Sequence, residues 1–354
     1  MSQNKNISLI TTDKNSSILQ CLKKMDEIRH KLLLVLEGKR FIGLISIGDI
    51  QRAIINNIDI NSKIGEILRN DYIFANLNNS IEEIKSKMLS IRSEFMPVVD
   101  NNGHLVTVHF WEDLFGKQKP KTSSQFNLPV IIMAGGIGSR LKPLTNVLPK
   151  PLIPIGERTM LEEIFYRFSQ HGSNTFHISI NYKADLIRSY IQNQNLPYSI
   201  NYFEEEKPLG TAGSLCLLKG KITQSFFVTN CDILIEQDYS EILDYHINNK
   251  NEITLIAALK HIPLSYGIIE TGKNGHLKTM VEKPELTLKI NSGMYILEPH
   301  LIDEIPKNKF FHITDLISSL MVQNRKVGVF PVSQNSWVDV GDWVEYMKVL
   351  GIKV

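Results

Sequence analysis

The sequence lacks several features that mark common protein classes. Only three cysteines occur in 354 residues, Cys21, Cys216 and Cys231, and their wide spacing predicts neither a disulfide framework nor a zinc site. The first ten residues are polar, and no apolar run approaches the roughly 20 residues that a membrane-spanning helix needs. We therefore expect a cytoplasmic protein with no membrane partner.

Excess charge of one sign is also absent. The chain carries 39 lysines and arginines against 37 aspartates and glutamates, a formal net charge of +2. Such a balance provides no broad positive field for nucleic acid or for a membrane surface. We therefore expect no nucleic-acid partner, and any binding of anions must depend on local groups.

A polar stretch divides the chain. Residues 118–127 lose apolar periodicity and gather Pro, Ser and Lys, which is typical of an interdomain linker. With 354 residues the chain is long enough for two domains with well-filled cores. The predicted organisation is an N-terminal module at 1–117, the linker, and a larger domain at 128–354.

The N-terminal part contains two similar units. Each has two apolar strand patterns with a glycine between them, at 32–36 and 41–47 in the first unit and at 95–99 and 105–108 in the second. An amphipathic helical pattern precedes each pair, and a short helix is expected after it. The repetition predicts a small α+β module built from two copies of one unit.

The C-terminal part alternates strands and helices. Apolar strand patterns at 130–133, 176–180 and 226–228 are separated by helical patterns at 160–171, 184–192 and 211–218. This alternation predicts an α/β fold with a mostly parallel sheet, helices on both faces and ligands at the carboxyl ends of the strands.

A glycine-rich loop follows the first of these strands. Three glycines within four residues leave the backbone uncovered and free to wrap a phosphate chain. The spacing is neither that of a P-loop nor that of a dinucleotide fingerprint. Arg140 and Lys150, the latter within Pro-Lys-Pro, add positive charge nearby, so the sequence predicts a phosphate site that includes Ala134, Gly135, Gly136 and Gly138.

Over its last two thirds the chain resembles the sugar-1-phosphate nucleotidyltransferases. The resemblance rests on Gly-Gly-x-Gly-x-Arg-Leu-x-Pro-Leu-Thr and the later Pro-Lys-Pro. It implies a Rossmann-like, mixed and mostly parallel sheet, the nucleotide-diphospho-sugar transferase fold. It also implies that a hexose 1-phosphate attacks the α-phosphorus of a nucleoside triphosphate and releases pyrophosphate, with catalytic roles for Arg140, Lys150 and Asp232.

Two carboxylates are candidate ligands of Mg²⁺. Asp232 follows the strand pattern 225–228, and Asp339 ends another short apolar strand. Carboxylate oxygens are the ligands that Mg²⁺ prefers, and the resemblance assigns both residues to the metal. Asp342 is instead interpreted as the N-cap of a helix at 343–350. Cys231 is interpreted as a small buried neighbour, not a nucleophile.

The resemblance also assigns recognition of the base. Glu205, Gly210 and Thr211 lie in Glu-Glu-Glu-Lys-Pro-Leu-Gly-Thr, and Glu205 aligns with the position that reads the base edge. A carboxylate only accepts hydrogen bonds, which suits the N1–H and N2–H₂ donors of guanine. GTP is therefore favoured, while UTP, dTTP or CTP remains the alternative.

Three short stretches resemble the family's sugar-phosphate site. Gly267 belongs to Tyr-Gly, Glu282 and Lys283 to Glu-Lys-Pro, and Asn291 to Asn-x-Gly. Glu282 and Asn291 suit sugar hydroxyls, and Lys283 suits the phosphate. The favoured hexose is glucosamine 1-phosphate, because the architecture resembles the fused enzymes that form GDP-glucosamine for legionaminic-type acid synthesis, or else mannose 1-phosphate.

The N-terminal units resemble a tandem CBS (Bateman) module. The CBS pattern Gly-x-x-Ser-x-x-Asp is met by Gly43, Ser46 and Asp49, whereas the second unit keeps only Asp113. The resemblance implies an adenosine-nucleotide site at these residues. The alternatives are that Asp49 and Asp113 cap helices, and that the module pairs two chains into a homo-oligomer. For the whole chain, a catalytically silent sensor of nucleotide sugars is the remaining alternative.

Overall fold

The computed structural model describes residues 7–69, 71–91, 93–116 and 125–352. Within it the chain divides into two units, Met1–Lys121 and Thr122–Val354. The first seven residues of the predicted linker, 118–124, lie outside the described residues. No helix in the described part of the chain is both long enough and apolar enough to cross a lipid bilayer.

The N-terminal unit contains two three-stranded sheets of the same topology. In each, a short strand runs parallel to the first strand of an antiparallel hairpin, in the orders β1-β2-β3 and β4-β5-β6. The two predicted hairpins and their helices are confirmed, whereas β1 and β4 were not predicted. The elements are β1 (Thr11–Asp13), α1 (Ile18–Ile28), β2 (Leu32–Glu37), β3 (Arg40–Ser46), α2 (Ile47–Ile55), β4 (Ala75–Asn76), α3 (Ile81–Ile91), β5 (Phe95–Val99), β6 (Leu105–Phe110) and α4 (Trp111–Phe115).

Local sequence explains where these helices begin. Ser17 caps α1 in a capping box with Gln20, and one face of α1 buries Ile18, Leu22 and Met25.

The apolar face predicted for α3 is only partly buried. Ile84 and Met88 are its buried residues.

The C-terminal unit alternates strands and helices as expected. Its elements are β7 (Val130–Met133), α5 (Leu144–Val147), β8 (Pro154–Ile155), β9 (Arg158–Thr159), α6 (Met160–Ser169), β10 (Thr175–Ile180), α7 (Ala184–Asn193), β11 (Ser199–Glu204), α8 (Gly210–Gly213), β12 (Phe226–Asn230), β13 (Ile233–Ile235), α9 (Tyr239–Asn249), β14 (Ile253–Pro263), β15 (Ile268–Thr271), β16 (Leu277–Val281), β17 (Glu285–Leu297), α10 (Ile313–Val322), β18 (Val327–Val332), β19 (Trp337–Asp339) and α11 (Trp343–Val349).

Seven of these strands form one mixed sheet in the order β11-β10-β7-β12-β17-β14-β18. The pairs around β7 are parallel, and only β17 runs antiparallel to its neighbours. The predicted mixed, mostly parallel sheet is therefore confirmed. Because β7 lies between β10 and β12, the glycine loop leaves the middle of the sheet at its carboxyl edge.

The central strand is buried on both faces. Val130, Ile131 and Ile132 are fully buried, as expected of a parallel strand covered on both faces. On one face, Ile131 belongs to a core cluster that includes Leu215 and Leu316. Phe227 of β12 stacks on Phe126 with ring centroids 5.4 Å apart. Apolar side chains therefore pack against the middle of the sheet on both faces.

A charged network joins β14 and β18 at the far edge of the sheet. Nε of Arg325 donates to both oxygens of Glu252 at 2.9 and 3.0 Å, and its Nη1 donates to both oxygens of Glu304 at 2.8 Å. These bonds, together with His300, hold the pKa of the Glu252 carboxyl down at about 2. Bidentate pairs of this kind are stronger than ordinary surface ion pairs.

We predict that Glu252→Gln lowers the free energy of unfolding by about 1–2 kcal/mol near neutral pH, a value reduced for partial exposure. Because folding depresses this pKa, the contribution is present above the ordinary value of 4.5 and is lost as pH falls towards about 2. Urea denaturation at pH 7 and pH 3 measures the difference.

Glu270→Gln is the matched control, because Glu270 forms an exposed 3.5 Å pair with Lys278. It should change stability little at either pH. An equal loss at pH 7 and pH 3 for Glu252→Gln would contradict the electrostatic origin of the effect.

Candidate active site

The glycine loop joins β7 to a short 3-10 turn at Ser139–Leu141. Gly138 has a φ of 69°, and a Cβ atom there would lie 2.9 Å from Cγ2 of Thr145 and 3.1 Å from Cβ of Lys150. The loop therefore needs glycine at this position to fold back over Lys150. In the described part of the chain the N–H groups of Gly135 and Gly136 donate to no protein acceptor. They are suited to an anion.

Four charged side chains meet beside this loop. Lys150 Nζ forms an ion pair with Oδ2 of Asp232. Arg140 lies between the two carboxylates, with Nη2 3.9 Å from Oδ2 of Asp232 and Nη1 4.0 Å from Oδ2 of Asp339. The structure thus brings together all four residues predicted from the sequence for catalysis and metal binding. We call these four residues the charged cluster.

A two-stranded pairing sets the positions of the two carboxylates. β13 runs antiparallel to β19 with Ile233 opposite Asp339, and the N–H of Val340 donates to the carbonyl of Asp232 at 2.9 Å. Two segments about a hundred residues apart therefore place their acidic side chains next to each other. Asp232 is nearly buried, and Asp339 is partly exposed.

Burial is the main reason why the pKa of the Asp339 carboxyl is raised, and the neighbouring Asp232 raises it further. The Gly341 N–H, which donates to Oδ1 of Asp339 at 2.7 Å, opposes this rise, as do Arg140 and Lys150. Two adjacent carboxylates of this kind suit a hard divalent cation. Among the described residues, no group of three or more His, Cys, Asp or Glu side chains is arranged to hold a metal ion.

Sequence reasoning missed Gly341. A Cβ atom there would lie 2.5 Å from Oδ1 of Asp339, 2.7 Å from Nη2 of Arg140 and 2.8 Å from Oδ2 of Asp232. Because Gly341 has no side chain, Asp339, Arg140 and Asp232 can approach one another at this point. The available signal was a glycine between two aspartates directly after a strand.

The C-terminal helix α11 ties the carboxylate segment to the phosphate loop. Asp342 caps it by accepting the N–H of Glu345 at 3.0 Å, which confirms the predicted N-cap. The indole Nε1 of Trp343 donates to the carbonyl of Lys142 at 2.7 Å, and the hydroxyl of Tyr346 donates to the carbonyl of Pro154 at 3.0 Å. Both ends of the loop that carries Lys150 are thus held.

Glu205 is the only buried one of the three consecutive glutamates. Its Oε1 accepts a hydrogen bond from the hydroxyl of Ser179, and its Oε2 accepts the N–H of Leu209 at 3.0 Å. A Cβ atom on Gly135 would lie 3.2 Å from Oε1, so the carboxylate lies against the glycine loop. Glu204 instead pairs with Arg188 at 2.6 Å on the surface.

Gly210 and Thr211 contact the segment before α10. A Cβ atom on Gly210 would lie 2.7 Å from the carbonyl oxygen of Phe311, and Oγ1 of Thr211 accepts the N–H of Ile313 at 3.0 Å. The close approach that Gly210 permits is therefore to protein backbone. The predicted helix at 211–218 forms as the short α8 followed by a 3-10 turn at Ser214–Leu218. The assignment of Gly210 and Thr211 to the nucleotide stays a prediction.

The predicted sugar residues occupy two places. Gly267 and Glu282 lie across from each other at the exposed end of the β15–β16 ribbon, and a Cβ atom on Gly267 would lie 2.8 Å from Oε2 of Glu282. Lys283 follows, exposed, with a φ of 44°. Asn291 lies on β17, where its Oδ1 accepts the hydroxyl of Tyr295 at 2.9 Å. Their sugar roles stay predictions.

Cys231 has the environment of an inert thiol. It is buried between Asn230 and Asp232, and burial, with a smaller contribution from Asp232, raises the pKa of its thiol to about 12. A thiol that stays protonated at neutral pH is a poor nucleophile. This agrees with its interpretation as a packing residue.

In the N-terminal unit, Ser46 and Asp49 form a capping box at the start of α2. Oδ2 of Asp49 accepts the backbone N–H and the hydroxyl of Ser46 at 2.9 and 2.6 Å, and its Oδ1 pairs with Arg52 and with Arg69, the latter at 2.8 Å. The capping alternative is thus confirmed for Asp49. Asp113 is exposed in the first turn of α4, whose N-cap residue makes no side-chain capping bond. An adenosine nucleotide at these residues stays a prediction.

The C-terminal unit is therefore an α/β domain with a glycine loop and a charged cluster at the carboxyl edge of its mixed sheet. A family model described as nucleotidyl transferase matches residues 129–351. The chain belongs to the nucleotidyl transferase family. A CBS domain model matches residues 5–56, which confirms CBS similarity for the first of the two repeats in the N-terminal unit.

The chain is similar to mannose-1-phosphate guanylyltransferase catalytic subunit beta of Dictyostelium discoideum, with 29% identity over 232 residues, 64% of this chain and 64% of that protein. It is 30% identical over 226 residues to mannose-1-phosphate guanyltransferase of Debaryomyces hansenii, covering 61% of this chain and 62% of that protein. The match thus spans less than two thirds of the length of these relatives.

Among solved structures, the chain is similar to HddC from Yersinia pseudotuberculosis, with a TM-score of 0.50 and 26% identity, covering 63% of this chain and 98% of that chain. A second structure of HddC, complexed with GMP-PN, matches equally. The similarity supports the assignment of the C-terminal unit to the family.

We predict that Gly341→Ala lowers kcat by about 100-fold, because the added methyl group displaces Asp339 and Arg140 by a fraction of an ångström or more. Thermal unfolding should change little. Gly272→Ala is the matched control, since Gly272 has a φ of −90° and its Cβ would meet only the carbonyl oxygen of His276, at 3.8 Å. Full activity in Gly341→Ala would show that the three groups can move apart without loss.

Proposed function

We propose that the C-terminal unit transfers a nucleotidyl group from GTP to a hexose 1-phosphate, releasing pyrophosphate and forming a GDP-sugar. The observation that carries this proposal is the charged cluster, in which Lys150, Arg140 and two carboxylates meet beside the glycine loop. Nucleotidyl transfer needs such charge neutralisation and positioning more than it needs a protein nucleophile.

The charge balance of the cluster supports a requirement for Mg²⁺. Arg140 and Lys150 offset Asp232 and Asp339, so these four groups provide no net positive charge for a triphosphate. Two adjacent carboxylates provide oxygen ligands of the kind that Mg²⁺ prefers. Bound there, the ion would neutralise the charge that develops on the phosphate oxygens.

The protein groups then divide the remaining work. The N–H groups of Gly135 and Gly136, with Arg140, hold the phosphates that leave as pyrophosphate. Lys150, fixed by Asp232 and partly buried, stabilises the charge on the α-phosphate as the sugar phosphate oxygen attacks. The α-phosphorus exchanges one phosphate oxygen for another in a single displacement, so no covalent bond to the enzyme forms.

The choice of guanine rests on Glu205. Its carboxylate is buried against the glycine loop, and we place the base of the bound nucleotide next to it. A carboxylate pairs with adjacent N–H donors, which guanine offers on N1 and N2, whereas uracil and thymine present one N–H flanked by two carbonyl acceptors. The guanylyltransferase names of the relatives agree with this choice.

For the sugar, we propose mannose 1-phosphate or glucosamine 1-phosphate. The relatives are named for mannose 1-phosphate. Gly267, Glu282, Lys283 and Asn291 are the proposed sugar and phosphate contacts. The residues proposed for catalysis are all present and meet in the charged cluster, which supports an active enzyme over a catalytically silent sensor.

We predict pyrophosphate release from GTP with at least one of mannose 1-phosphate and glucosamine 1-phosphate, and weak release from UTP, dTTP and CTP. A grid of the four triphosphates and several hexose 1-phosphates tests this. EDTA should abolish the activity and Mg²⁺ should restore it. Preference for a pyrimidine nucleotide would contradict the base assignment, and no release in any combination would support the silent sensor.

Lys150→Ala should lower kcat by about 100-fold or more, because it removes the charge next to the reacting phosphate and leaves Asp232 buried without its partner. Lys219→Ala is the control, because Lys219 forms an exposed 2.9 Å pair with Asp303. Steady-state kinetics on both variants, with circular dichroism to establish folding, measures the effect. Substantial activity in folded Lys150→Ala would contradict the mechanism.

A further inference from the structure

Ser179 is a fully buried residue of β10 to which the proposed chemistry assigns no role. Its carbonyl accepts the N–H of Ala134 at 3.1 Å, at the start of the glycine loop. Its hydroxyl donates to Oε1 of Glu205. One residue therefore joins the phosphate loop to the carboxylate that is proposed to read the base.

Glu205 depends on neutral donors alone. Glu205 is buried, with 7% of the residue exposed to solvent. No lysine or arginine among the described residues forms a salt bridge with its carboxylate. The Ser179 hydroxyl donates a hydrogen bond to one carboxylate oxygen, and the Leu209 N–H donates one to the other. A buried carboxylate without a cationic partner is stabilised only by the hydrogen bonds that it accepts. Loss of one donor is therefore expected to shift the position of the carboxylate.

The number of remaining acceptor positions fits one kind of base edge. Each carboxylate oxygen has two lone pairs, and in each case the protein occupies one. One acceptor position on each oxygen is therefore left for a ligand. Two side-by-side N–H donors, such as N1–H and N2–H of guanine, match this pair, whereas hypoxanthine has only N1–H.

We propose that Ser179 is a positioning residue for nucleotide selectivity: its hydroxyl holds the Glu205 carboxylate so that both oxygens face the two donors of guanine. The inference rests on the proposed guanylyl transfer and goes beyond it, since it assigns the discrimination of the second donor to a buried serine that contacts no substrate.

The test compares GTP with ITP, which lacks the N2 amino group. In wild-type enzyme the kcat/KM ratio of GTP to ITP should be well above one. In Ser179→Ala this ratio should fall roughly tenfold, because the carboxylate loses the donor that fixes it and the bond to N2 weakens, while ITP never had that bond. A general loss of stability would lower both activities and leave the ratio unchanged.

Ser173→Ala is the matched control. Ser173 is equally buried, but its hydroxyl donates to the carbonyl of Leu128 at 2.8 Å, away from Glu205. Its GTP to ITP ratio should equal that of the wild type. Ser179→Cys, of similar shape and with a weak donor, should give an intermediate ratio and carries the test if Ser179→Ala does not fold.

A wild-type ratio in folded Ser179→Ala, or in Ser179→Cys where that is the variant that folds, would overturn the inference. A wild-type enzyme that prefers UTP, dTTP or CTP to GTP would instead refute the proposed base. The two failures are therefore distinguished by wild-type kinetics alone.

Discussion

The structure of the active site depends on keeping two carboxylates close together. Asp232 is buried and Asp339 is partly buried, and Asp232 helps to raise the pKa of the Asp339 carboxyl. Like charges in such surroundings repel, so the fold must supply compensation. It does so with Lys150 on one carboxylate, Arg140 about equally far from both, and a backbone N–H on Asp339.

The β13–β19 pairing fixes the backbone positions from which the two carboxylates project. It joins the strand after β12 to the last strand of the chain, and α11 then returns to hold the carbonyls of Lys142 and Pro154. Gly341 leaves the space in which the charged groups meet. The result is a preorganised group of two positive and two negative side chains beside the glycine loop.

Much of the C-terminal fold, and the four residues that meet in the charged cluster, could be predicted from the sequence. Buried strands such as β7 have a strong local pattern, and the glycine loop, Lys150 and the two aspartates lie within short motifs. The α/β sheet, the N-cap at Asp342 and the N-terminal hairpins were predicted correctly. The short strands β1 and β4 were missed because two or three residues carry too little periodicity.

The contacts that refine the site were not predictable. Gly341 is crowded by residues near positions 140 and 232, Gly210 meets the backbone of Phe311, and Ser179 meets Glu205. Each of these contacts joins residues far apart in the chain, and neither a glycine nor a serine shows its partner in the sequence. These residues set the position of the carboxylates of Glu205, Asp232 and Asp339. Composition and short motifs do not contain that information.

The central claim is that the charged cluster promotes one direct displacement at the α-phosphorus. The most direct measurement uses GTP with a chiral sulfur-substituted α-phosphorus and the hexose 1-phosphate that the enzyme accepts. Phosphorus NMR of the product then gives the configuration at that centre. A single in-line displacement predicts inversion, whereas retention would require a covalent nucleotidyl-enzyme and would contradict the account.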